Sequence, residues 1–155
     1  MQVKIFIGLF FSILLASLTG CDKPTETPGK FVTLMDAEWP YADTLIFNEN
    51  NDTLPVPLKG VLLTLRHTQD YPYANVWIEM SYQSRDSLVA DTFNIRITDE
   101  YGKWLGTGSG PVLMLSDTLT LRHTPDTTSR FLVRHVMRTE ILPEIEQVGL
   151  SFIKN

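Results

Sequence analysis

From Phe31 onward the chain is a succession of short apolar stretches separated by turn residues, and in several of them apolar and polar positions alternate one for one. Alternation at period two predicts strands with one face in a core. Lys59 to Arg66 predicts a central strand with Val61, Leu63 and Leu65 on one face. Tyr73 to Tyr82 predicts another, with Ala74, Val76, Ile78, Met80 and Tyr82 inward and Asn75, Trp77, Glu79 and Ser81 outward. Asp91 to Thr98 repeats the logic with Phe93, Ile95 and Ile97 inward. Three such strands in succession predict a meander.

Phe31–Leu34 and Asp43–Phe47 read as edge elements ahead of the breakers Pro55 and Pro57. Val112–Leu115, Asp117–Arg122, Phe131–Met137 and Val148–Ile153 predict further strands, and Arg138–Ile145 predicts one short helical turn limited by Pro143. About eight to ten strands between turn signals predict an all-β chain: a single antiparallel β-sandwich, either immunoglobulin-like or jelly-roll.

The stretch Gly102-Lys103-Trp104-Leu105-Gly106-Thr107-Gly108-Ser109-Gly110 follows the third alternating strand. No Gly-Lys-Ser/Thr follows it, and Pro111 and a strand stand where a phosphate-binding helix would begin. Gly102, Gly106, Gly108 and Gly110 therefore read as a structural bend, allowing positive φ or close backbone approach while Trp104 covers the end of the core.

Ahead of these strands, Lys4 precedes an apolar run from Ile5 to Leu18, followed by Thr19-Gly20-Cys21. A run of about 14 residues is short for a hydrocarbon core of roughly 30 Å, and the pattern is that of a secretory signal peptide ending in a lipobox. The expected organisation is a signal peptide over residues 1–20, a lipid-anchored flexible tether over 21–30 and the sandwich domain over 31–155. Cys21 is the one cysteine and the expected lipidation site, with palmitate among the acyl groups. Loss of residues 1–20 removes Lys4 alone among the charged residues and takes the net charge from −5 to −6. An acidic chain without basic runs argues against nucleic acid as a partner.

Candidate chemistry is sparse. His67, His123 and His135 are at no metal-ligand spacing, and His67 and His123 read as solvated turn residues. Thr64-Leu65-Arg66-His67-Thr68 recurs as Thr120-Leu121-Arg122-His123-Thr124, which reads as duplicated strand ends rather than a domain repeat. Gly108-Ser109-Gly110 lacks the wider nucleophile elbow, so no catalytic residue, metal or cofactor is expected. The aromatics are more informative: Tyr71, Tyr73, Trp77 and Trp104 form a candidate surface for a protein partner, with carbohydrate as the competing ligand class.

With these residues in view, the chain resembles the gliding motility lipoprotein GldH family. The resemblance rests on the lipobox, Leu65-Arg66 with Tyr71-Pro72-Tyr73-Ala74-Asn75, Asp91-Thr92 leading to the glycine stretch, Met137-Arg138 and Val148-Gly149-Leu150. Glu144 stands where the family pattern has glycine, and His135-Val136 replaces Gln-Ala. The resemblance implies a non-catalytic envelope lipoprotein, anchored to the membrane through the lipid on Cys21 and facing the periplasm. Its implied partners are other envelope proteins of a motility- or secretion-linked assembly.

Overall fold

The structure, a computed structural model, describes residues 26–154 other than Pro28; the expected signal peptide and Cys21 lie outside them. Ten strands follow in order: β1 (Lys30–Thr33), β2 (Glu38–Pro40), β3 (Leu45–Phe47), β4 (Leu58–Thr68), β5 (Asn75–Ser84), β6 (Ser87–Arg96), β7 (Val112–Leu119), β8 (Phe131–His135), β9 (Ile141–Pro143) and β10 (Ile145–Lys154). One sheet runs β1-β10-β4-β7, the other β3-β8-β5-β6, and β2 and β9 pair as a small third sheet.

The paired strands of these sheets are all antiparallel, and one apolar cluster draws on both large sheets, so the chain is an all-β sandwich. Among its eight principal strands, only β5 and β6 are consecutive neighbours; every other connection changes sheet. That order is a jelly roll. An immunoglobulin sandwich would retain several hairpins of consecutive strands.

Most of the alternating positions fill the core; Ala74, expected inward, is exposed because it lies in the turn ahead of β5, and Phe93 is only partly buried. Val61, Leu63 and Leu65 of β4 face Val76, Ile78, Met80 and Tyr82 of β5, all essentially without solvent exposure. Because β4 and β5 lie in opposite sheets, the expected meander of three strands does not form. Either arrangement presents the same alternation, since a strand's inward face looks the same from each side of a sandwich.

Three further expectations change. Arg138–Ile145 makes no helical turn; Ile141–Pro143 forms β9 and pairs with β2, burying Trp39 opposite Leu142. The two stretches after Pro111 merge into one strand, β7, which ends at Leu119, so Thr120–Arg122 lies in a loop. Pairing also begins earlier than residue 31: Glu26 bridges to Ile153, and Thr27 donates its backbone N–H to the Phe152 carbonyl at 3.0 Å. Backbone ladders need no apolar side chain, so the polar composition of this stretch concealed its attachment to β10.

Candidate interaction surface

Tyr71 to Trp77 turn the chain out of β4's sheet and into β5. Tyr71 is buried and its hydroxyl donates to the Asn75 carbonyl at 3.0 Å, closing the turn. Burial raises its phenol pKa far above the ordinary value, with the neighbouring Tyr73 adding to the effect. Tyr71 thus belongs to the core and leaves the candidate surface. Tyr73 packs edge-on against it with ring centroids 5.7 Å apart and remains partly exposed.

Trp77 occupies an outward position of β5 and is 42% exposed. Its carbonyl accepts from the Val136 N–H at 2.8 Å, and its own N–H points at the Met137 sulfur, 3.3 Å away. Tyr73, Asn75 and Trp77 form one wall of a groove of about 590 Å³, with Met137, Arg138 and Thr139 on the other. Two aromatic rings, an amide and a guanidinium thus share one concavity.

Trp104 is placed elsewhere. It bridges back to Thr98, is half-buried against the core, and stacks obliquely over His67 with centroids 5.1 Å apart. The glycines around it divide into two kinds. Gly102 and Gly110 adopt φ values of 80° and 79°, which side-chain-bearing residues rarely adopt. Gly106 and Gly108 instead lie flat against β7: a Cβ on Gly106 would stand 3.1 Å from the Met114 carbonyl oxygen, and one on Gly108 would overlap the Val112 carbonyl. The stretch is the crossing from one sheet to the other.

The histidines differ from their sequence reading in one respect. His123 is exposed, but His67 is fully buried beneath Trp104 and Tyr71 rather than solvated. They stand at opposite ends of β4: His67 near Glu144 and His123 in a hollow beside Leu58. His135 is also fully buried, between Trp39 and Tyr41 in edge-on contacts of 5.5 and 5.6 Å. Burial lowers the pKa of both His67 and His135 below the ordinary imidazole value. Among the described residues no group of three or more histidine, cysteine or carboxylate side chains could hold a metal ion.

One buried polar network escaped the sequence reading. The Asp91 carboxylate, 2% exposed, accepts from the Tyr82 hydroxyl at 2.7 Å, from the Arg122 backbone N–H at 2.9 Å and from the Arg122 guanidinium. It ties the β5–β6 hairpin to the loop after β7. The inward position of an aspartate in an alternating strand was its only signal.

The family model for the GldH lipoprotein matches residues 29–152, nearly the whole described domain. The chain belongs to the GldH lipoprotein family. A gliding motility lipoprotein GldH homolog from Christiangramia forsetii is 27% identical over 111 residues, covering 70% of this chain and 64% of that protein. The chain thus spans less than two thirds of that relative's length. In the crystal structure of dimeric latent PorU from Porphyromonas gingivalis, a segment overlaps 88% of this chain and 14% of that one, at 11% identity and a TM-score of 0.28, too loosely to inform the fold. GldH-family membership gives a membrane-anchored place in the cell envelope.

Proposed function

We propose that this GldH-family chain is a non-catalytic protein-interaction component of a motility- or secretion-linked envelope assembly, facing the periplasm. The observation supporting this reading above others is the family match across residues 29–152. On this reading residues 1–20 are removed, Cys21 carries the lipid, and the residues before Glu26 are the tether. Anchoring raises the local concentration of the domain at the membrane, so individually weak protein contacts become effective.

Two experiments test this. Cys21→Ser should release the protein from the membrane fraction; retention of the variant would overturn the anchoring. A detergent-solubilised pull-down with mass spectrometry should recover envelope proteins with the parent chain, and recovery of none would overturn the interaction role. Exposure of Tyr73 and Trp77 along one groove supports a second reading, carbohydrate binding. It requires that a polysaccharide gel retard the parent chain and not Trp77→Ala; equal mobility of the two would remove it.

A further inference from the structure

We propose that the free edge of β6 is a strand-addition site for an extended, polar-to-acidic segment of another envelope protein. This inference rests on the interaction reading and assigns that role to one edge. Arg85 and Asp86, at φ 50° and 64°, make the two-residue turn between β5 and β6, whose pairing runs without a break from Ser84↔Ser87 to Asn75↔Arg96. In this register the bonded pairs alternate from Ser84↔Ser87, so Leu88, Ala90, Thr92, Asn94 and Arg96 direct their backbone groups away from β5. The Arg122 guanidinium supports that assignment by donating to the Ala90 carbonyl at 3.0 Å from the outer side. Among the described residues, the outward N–H groups of Leu88, Thr92, Asn94 and Arg96 find no backbone partner.

The other edges are short or guarded. β1 has four residues and β3 has three. Thr107 exchanges two backbone bonds with Met114 along the first half of β7, and Asp117 stands in the second half. β6 runs ten residues without proline or lysine; inward Asp91 and Arg122 on the Ala90 carbonyl guard its hairpin half, and Thr92–Arg96 stays open, with Phe93 on its inner face only partly buried. Folded proteins ordinarily blunt an edge of this kind unless it is used.

Charge selects the occupant. The exposed Arg96 and the Arg122 side chain, 70% exposed, flank the open half of the edge in a chain of net charge −5. An acidic strand gains chiefly from Arg96, because the Arg122 guanidinium is already engaged by Asp91 and the Ala90 carbonyl. A second copy paired antiparallel about Thr92 would need residues 88–90 of each copy as well, where Arg122 already covers the Ala90 carbonyl, which disfavours self-association.

The test uses the full chain in its native membrane, with a photo-crosslinking p-benzoylphenylalanine in place of Asn94. The expected result is an adduct with a different protein that is lost in Thr92→Pro, because proline there removes an outward N–H and no internal ladder bond. Thermal melting of Thr92→Pro should stay close to the parent. No adduct, adducts only with copies of the chain, or an adduct that persists in Thr92→Pro would each overturn the site. Amide exchange reads the same edge without a variant: Thr92 and Asn94 should exchange more slowly in the membrane complex than in the purified chain, and equal rates would overturn it. A pull-down that recovers partners equally with parent and Thr92→Pro removes this site and leaves the interaction role standing, whereas recovery of none removes the role itself.

Discussion

The Tyr82 hydroxyl donates to the buried Asp91 carboxylate at 2.7 Å, joining β5 to β6 on the inward face of their hairpin. Burial raises the pKa of Tyr82 to about 12, with the bond to Asp91 contributing further. For Asp91 burial pushes upward, but the Arg122 N–H, the Tyr82 hydroxyl and the Arg122 guanidinium together hold the carboxyl below its ordinary value.

The folded pKa of Asp91 is therefore below the unfolded one, so its contribution is present above about pH 4 and is lost as the pH falls further. Asp91→Asn should lower unfolding free energy at pH 7 by roughly 2–3 kcal/mol, since it weakens charge-assisted bonds at a buried site. It should also lose less stability than the parent between pH 5 and 3. Denaturant titrations at those pH values check both, and an unchanged acid slope would refute the assignment.

Neither ring nitrogen of His135 makes a hydrogen bond of good geometry, and burial lowers its pKa against a weaker opposing contact with the Trp39 backbone, as it does for His67 against the Thr68 backbone. The unfolded chain then binds more protons, so stability falls as the pH drops below about 6.5, by at most ~1.4 kcal/mol per unit for each ring. His135→Phe keeps a ring between Trp39 and Tyr41 and removes one titrating group. Its melting temperature at pH 7 should equal or exceed the parent's, and its decline between pH 7 and 5 should be shallower. An identical decline would show that His135 does not titrate on unfolding.

Glu144 adopts φ 65° and its carboxylate accepts the Thr68 hydroxyl at 2.5 Å. A side chain at this φ costs on the order of 1 kcal/mol relative to glycine, while the bond returns a similar amount. Glu144→Gly should be close to neutral, whereas Glu144→Ala keeps the strain and loses the bond. The glycine variant should therefore be the more stable of the two by about 1 kcal/mol in urea unfolding; the reverse order would contradict this account.

Gly108 lies so close to β7 that any Cβ meets backbone, which cannot rotate away as a side chain can. Gly108→Val should reduce stability by about 2 kcal/mol or more. Gly106→Val should do the same to a smaller degree, because its nearest contact is looser at 3.1 Å. Soluble yield and thermal melting read the effect, and parent-like stability in both would show that the crossing can move.

The sequence by itself determined that the domain is an antiparallel sandwich and most of the side chains that enter its core. Alternation at Val76, Ile78, Met80 and Tyr82 leaves a strand only one face to bury. It also contained the family marks, including the position at which Glu144 replaces glycine. What only the tertiary structure decided is which strands are neighbours, because every sandwich presents the same inward alternation whatever its order. Alternation already set Trp77 on the outer face, but Tyr71 lies in a turn with no such register, and only the structure showed it closing that turn inside the core. The exposed edge of β6 was likewise invisible: it consists of backbone groups, which every residue carries and only pairing can use up.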